Sequence, residues 1–442
     1  MKITICGIVE PNAVGTRFPH NLVERLTSAR PICHFLRKVC LALLFLFPVT
    51  AWSQTLDEAV KAQLEVYNNE VCGRLLQGDD PSVVLTGPLA GPTLCRRNPP
   101  AGSSTTTSST AGSATPTTIT DIAKKRFEEE TKESKSSKSS SETESTTSSE
   151  QGPTKGGFFI TAENESLNRD VTRLEDGYDS SIQKSTIGAD YRFNYKSFAG
   201  VALELSQQYI DFNAGGDSDV KTNGLVAYGS YAPTDKFVMQ MYGGYSSKSY
   251  KRNRIASFVE YDQFGGINTD ASGVPHADFD ASQYGAGAQL AYDVTIGRVS
   301  LGPSLSIDWL NTDFGTYKET GDSGLELTFH DDKVSSLQSS ASLEASLATR
   351  AGSWVLIPQL GINWKHEFEN NQRTIQVSFV GDIRSKLFSF QTDAPDRDWL
   401  EFNVGIVAIP GKYAQIFANY RAIAGHDYFK GHTISLGVRV PF

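Results

Sequence analysis

Gly321-Asp322-Ser323-Gly324 carries the letters that surround a trypsin-type nucleophile, whose chemistry would be acyl transfer. Such a serine needs a histidine, an aspartate and an oxyanion hole, all placed by a surrounding fold. The tetrapeptide falls in a predicted loop without that context, so the match reads as coincidence. The seven histidines (His20, His34, His276, His330, His366, His426 and His432) are dispersed, whereas zinc sites show tight pairs. Gly215-Gly216 and Gly265-Gly266 precede no helix, which removes the usual phosphate cradle. These residues predict no enzyme, no cofactor and no bound metal.

Two other sets have chemistry of a structural kind. All five cysteines lie early in the chain: Cys6, Cys33, Cys40, Cys72 and Cys95. In a short exported segment, Cys72 and Cys95 are expected to form a disulfide, since no histidine lies near enough to complete a metal site. Closing that loop would add roughly 3 kcal/mol. The second set is charged: Asp190, Arg192, Glu204, Asp308, Glu344, Lys365, Glu401, Arg421 and Arg439 fall on the polar face of alternating segments. They either line a pore or pair with one another inside a narrow barrel. The net charge of -9 argues against nucleic acid as a partner.

The elements that position these residues begin with an export address. Arg37-Lys38 precedes a short apolar run from Val39 to Val49, and Ala51 and Ser53 stand at the small-residue positions. Residues 1–53 therefore read as a signal peptide with an extended n-region, cleaved between Ser53 and Gln54, which implies the Sec translocon. The apolar run is too short to cross a bilayer as a helix. Residues 54–98 read as a small exported head, opening on an amphipathic helix with Leu56, Val60, Leu64 and Tyr67 at helical spacing. Residues 99–156 form a linker rich in Ser and Thr, with too few apolar side chains to offset the entropy of ordering. A short charged helix is expected within it, over Ile119 to Lys132.

From 157 to 442 the period changes to two. Ile187, Ala189, Tyr191, Phe193 and Tyr195 alternate with Thr186, Gly188, Asp190, Arg192 and Asn194. Ile434, Leu436, Val438, Val440 and Phe442 alternate with Ser435, Gly437 and Arg439. No helix has this period. The fold class is all-β: about twelve antiparallel strands closed into a transmembrane barrel. They are expected near 157–163, 185–195, 197–210, 222–232, 235–250, 281–293, 297–311, 334–348, 353–367, 398–409, 412–422 and 429–442. Short connections alternate with long ones near 164–184, 211–221, 251–280, 312–333, 368–397 and 423–428. Outer-membrane barrels have short periplasmic turns and longer extracellular loops. Aromatics at strand ends, including Tyr209, Phe212, Trp309, Trp354, Trp364, Trp399 and Tyr413, read as interfacial girdles.

The segments IGADYRF (Ile187 to Phe193), NGLVAYGSYAPTDKF (Asn223 to Phe237) and QYGAGAQLAYDV (Gln283 to Val294) resemble the autotransporter translocator domain of type V secretion. IFANYRA (Ile416 to Ala422) and HTISLGVRVPF (His432 to Phe442) extend the resemblance to the C-terminus. It implies a twelve-stranded barrel in the outer membrane of a Gram-negative bacterium, surrounded by lipid and lipopolysaccharide. It also implies delivery by periplasmic chaperones and insertion by the barrel-assembly machinery, with Val438, Val440 and Phe442 as the assembly signal. The upstream segment is shorter than a typical passenger. A Ser/Thr/Glu tract precedes the first strand, and no Asn-Asn self-cleavage element stands near the pore. These differences point to translocation or display of a tethered head. The alternatives are a structural or adhesive barrel acting through its long loops, and a narrow diffusion pore. No surface ligand is legible.

Overall fold

Successive side chains of a strand point to opposite faces, so a sheet wrapped around a polar interior and bathed in lipid must alternate apolar-out with polar-in. The computed structural model describes residues 55–64, 102–107, 156–194, 196–234, 236–261, 267–382, 384–410 and 414–442. Twelve strands build the closed barrel. The first six are β1 (Gly156–Arg169), β2 (Tyr178–Asn194), β3 (Ser197–Phe212), β4 (Gly216–Tyr231), β5 (Phe237–Arg254) and β6 (His276–Tyr292). The rest are β7 (Val299–Phe314), β8 (Asp332–Leu347), β9 (Trp354–Glu367), β10 (Asp398–Ile409), β11 (Gln415–Ala424) and β12 (Phe429–Pro441). Each pairs antiparallel with its neighbour in chain order. The ring closes where β12 meets β1 in an unbroken ladder from Gly157↔Pro441 to Arg169↔Phe429.

The alternation holds along the wall. Phe158 is 60% exposed on the outside while Phe159 beside it is 3% exposed within. Ile187, Leu203, Leu225, Leu305, Leu360 and Leu436 likewise face outward, and Glu163, Lys184, Asp190, Glu204 and Arg439 are buried inside. No described helix is long and apolar enough to cross a membrane; the strands do the crossing.

The strands run farther than the apolar alternation predicts. Residues 164–169 continue β1, and 178–184 open β2. The outward face of β1 passes from Phe158, Ile160 and Ala162 to Asn164, Ser166 and Asn168 with no break in the ladder. Hydrophobicity marks only the part of a strand in lipid, whereas main-chain pairing continues beyond it. The expected long loop at 211–221 is a tight turn over 213–215. Gly215 and Gly216 adopt φ of +93° there, and the Gly215 amide donates to the Phe212 carbonyl at 2.9 Å. Glycine takes this backbone region without a Cβ penalty, which permits so short a connection. The connection at 425–428 is also short, so long and short do not alternate throughout. The three longest loops stay on one end.

Those three loops carry structure of their own. Between β5 and β6 stands the hairpin Ala256–Tyr261 and Ile267–Gly273. The β7–β8 loop supplies Tyr317–Lys318 and Leu327–Phe329, and the β9–β10 loop supplies Thr374–Phe379 and Phe388–Gln391. Together these form a four-stranded sheet. Ahead of the barrel lies one described helix, α1 (residues 56–64), and the strand Gly102–Thr107 pairs with the hairpin. That strand lies within the expected linker 99–156, of which Gly102–Thr107 and Gly156 are described. A Ser/Thr run with no apolar face can still add to a sheet edge through its main chain. The signal cleavage point at Ser53 and Gln54, Tyr67, Cys72, Cys95, the 119–132 helix, Tyr195 and Tyr413 lie outside the described residues.

Candidate functional site: a cap at the loop end of the barrel

The loops turn inward because their side chains bond to residues on the lumen face. Arg254 closes β5, and its guanidinium donates Nε–H to Glu319 Oε1 at 2.7 Å and Nη2–H to Glu319 Oε2 at 2.6 Å. Nη2 also donates to the Leu325 carbonyl at 2.9 Å, and Glu319 Oε2 accepts the Leu327 amide at 2.8 Å. Both side chains are 1% exposed. A buried pair of this kind stabilises little in net terms, but losing one partner strands a charge. Beside it four rings stack from wall to cap. Tyr250 and Phe279 lie 4.8 Å apart, Phe279 and Tyr317 3.8 Å, and Tyr317 and Phe329 4.8 Å, all within 9° of parallel. Arg252 donates to the Tyr317 hydroxyl at 3.2 Å.

These anchors hold an ordinary apolar core. Ala256 and Phe258 enter it from the hairpin, Leu325 from the β7–β8 loop, and Leu327, Phe329, Ile375, Val377, Phe379 and Phe390 from the sheet. Leu56, Ala59, Val60 and Leu64 of α1 complete it. Thr55 and Glu58 form a capping box: the Glu58 amide donates to Thr55 Oγ1 at 3.1 Å and the Thr55 amide to Glu58 Oε2 at 2.9 Å. Leu64 and Leu327 are each 0% exposed. Burying a Leu or Val side chain contributes about 1.5–3 kcal/mol relative to leaving it exposed. The spacing predicted from sequence is correct for Leu56, Val60 and Leu64. Within the expected head, residues 54–98, the described helix does not stand apart: loops from the far end of the chain bury the apolar face of α1.

A second cluster ties the cap to the rim. Arg169, ending β1, donates Nη2–H to Glu175 Oε2 at 2.6 Å and to Asp393 Oδ2 at 2.8 Å. Thr172 Oγ1 donates to Asp393 Oδ2 at 2.5 Å, and the Asp393 amide to Glu175 Oε2 at 3.0 Å. The β1–β2 and β9–β10 connections are thereby joined. Asp396 extends the tie to the β11–β12 turn, accepting the Asp427 amide at 2.7 Å, with His426 Nδ1 3.5 Å away. Burial pushes the Glu175 carboxyl up to about 7, against the pull of Arg169. Burial also lowers the His426 imidazole, against Asp396. An adjoining cavity of about 400 Å³ is lined in part by Leu167, Arg169, Glu367, Trp399 and Glu401. Its polar floor is self-satisfied at Glu367, which accepts from Ser336, Gln338 and the Leu337 amide.

All nine charges singled out from sequence lie on the inward face, the side of the wall where burial alternates with the exposed apolar positions. Several are ion-paired. Arg439 reaches Asp190 at 2.8 Å, Lys365 reaches Glu401 at 3.0 Å, and Arg421 lies 3.6 Å from Glu165. Asp308 accepts the Tyr242 hydroxyl at 2.7 Å, and a Cβ at Gly287 would overlap that tyrosine ring. Glu204 is buried, while Arg192 and Glu344 are partly buried. The structure adds Glu163 with Lys184 at 2.8 Å: Glu163 ends the expected first strand, whereas Lys184 was expected in the loop 164–184 and instead lies inward on β2.

At the C-terminus, Val438 and Val440 face outward, and the Phe442 ring packs 4.8 Å from Phe158. Phe442 also exchanges two main-chain hydrogen bonds with Gly156, at 2.9 and 3.0 Å. Ser323 sits in a cap turn, where its hydroxyl donates to Glu326 Oε1 at 2.8 Å. Among the described residues no cluster suited to a metal occurs.

The family profile "Autotransporter beta-domain" matches residues 158–421. Among solved structures, the translocator domain of the autotransporter NalP from Neisseria meningitidis is 14% identical with a TM-score of 0.48. The alignment covers 75% of this chain and 100% of that one. The β domain of the Bordetella autotransporter BrkA is 16% identical with a TM-score of 0.47, covering 65% and 100%. The transport unit of AIDA-I from Escherichia coli is 11% identical with a TM-score of 0.38, covering 67% and 93%. A comparison with curated proteins finds no match.

Proposed function

Because this chain belongs to the autotransporter β-domain family, an outer-membrane barrel, we propose that it carries its own short N-terminal segment across the membrane and holds it at the cell surface. The observation behind this reading is the position of α1 and of Gly102–Thr107. Both engage the loop end, whereas β1 opens at Gly156 beside the C-terminal residue at the turn end. Loop ends of outer-membrane barrels face outward and turn ends face the periplasm. We take the chain between Thr107 and Gly156 to pass from one end to the other through the polar barrel interior, a route that needs no apolar side chains. On this reading the inward charges line that route, the family's barrel-assembly machinery inserts the wall, and no reaction is catalysed.

The test is an epitope near Ser104, probed on intact cells. Antibody binding, and cutting by added protease, are expected without permeabilisation. An epitope reached only after the outer membrane is opened would remove this reading in favour of a barrel acting through its loops.

A further inference from the structure

Helices in water gain most of their stability from packing an apolar face rather than from propensity. The inward side chains of α1 are covered by the β5–β6, β7–β8 and β9–β10 loops. Conversely, α1 supplies four buried residues to the core that Leu325, Leu327, Val377 and Phe390 share. Each part completes the core of the other. The strand Gly102–Thr107 adds main-chain pairing to Ala256–Tyr261, but GSSTTT offers no apolar anchor, so α1 carries the attachment.

We propose that the cap is a receptor for the chain's own N-terminal helix, and that the N-terminal segment and the barrel remain one particle by noncovalent contact when the chain between Thr107 and Gly156 is cut. The display reading supplies only the side of the membrane on which this happens. The recognised chemistry is an amphipathic helix, capped by Thr55 and Glu58, whose apolar residues at 56, 59, 60 and 64 share one face.

The experiment replaces Ser108 to Ala114, next to the strand at the loop end, with a site-specific protease sequence in the full chain, purified in detergent. After cutting, the N-terminal fragment is expected to co-elute with the barrel on size exclusion. The double variant Leu56→Asp, Val60→Asp is expected to lose it. Separation of the wild-type fragment, or equal retention of the variant, overturns the proposal. A second arm deletes residues 54–64 and adds a labelled peptide of that sequence. Saturable binding supports the proposal, and binding no better than a scrambled peptide overturns it. Repeating the cut on intact cells keeps the two readings apart. Co-elution in detergent without surface cutting removes display alone, whereas surface cutting followed by release removes retention alone.

Discussion

The membrane band and the cap have opposite interiors. In the band, Ile187 and Leu203 face out while Lys184, Asp190 and Glu204 are buried; in the cap, Leu325, Leu327 and Val377 are buried and Lys318 is exposed. The difference lies in the surrounding solvent. Lipid is as apolar as leucine, so no hydrophobic force acts on the outer face, and closure rests on the main-chain ladder, polar pairs within and small interior clusters such as Phe159, Val226 and Tyr242. The cap stands in water and is held by ordinary apolar burial. The two regions meet at Arg254, the last residue of a wall strand and the first anchor of the cap.

This contrast is easiest to break at that junction. Glu319→Ala leaves the Arg254 charge buried without its carboxylate, at a cost of about 3–5 kcal/mol. The cap loops should become sensitive to protease while the barrel keeps its heat-modifiable migration on SDS gels; simultaneous loss of both would show that the regions are not separable. Leu203→Arg places a charge against lipid and should cost about 2–4 kcal/mol if near the bilayer centre. Here urea titration should report lower barrel stability, with the cap loops still resistant to protease.

A smaller effect should follow pH. The folded pKa of Glu175, about 7, lies above its ordinary value of 4.5, so folding takes up a proton between the two. The contribution is fully present below pH 4.5 and is lost as pH rises through 7, so the tie between Glu175 and the Asp393 loop weakens across that window. Proteolysis of the 368–397 loop should quicken over this range in the wild type, and Glu175→Gln should flatten the dependence. An unchanged slope would place the sensitivity elsewhere. The smallest effect is expected for Lys333→Ala, an exposed lysine whose partner Asp313 is half-exposed. No change in urea midpoint should be measurable.

Strand number, order and facing were legible, because Ile187 to Asn194 and Ile434 to Phe442 announce their period within a few residues. The loop-end limits were less so. Beyond Ala162 both solvents are wet, and the outward face of β1 loses its apolar label while the ladder continues. Gly215-Gly216, set aside as a phosphate signal, was a turn signal. The charges of the lumen were identified singly. Their partners were not, since Asp190 and Arg439 lie at opposite ends of the barrel sequence.

By itself the sequence determined an outer-membrane barrel and the apolar face of a helix at Leu56, Val60 and Leu64, because side-chain period is a property of neighbouring residues. Only the tertiary structure decided what covers that face. Leu56 and Phe390 belong to one core because three loops fold inward on Arg254, Tyr317 and Arg169. Contacts between segments so far apart are chosen by shape and solvent after the barrel has closed, and no local pattern records them.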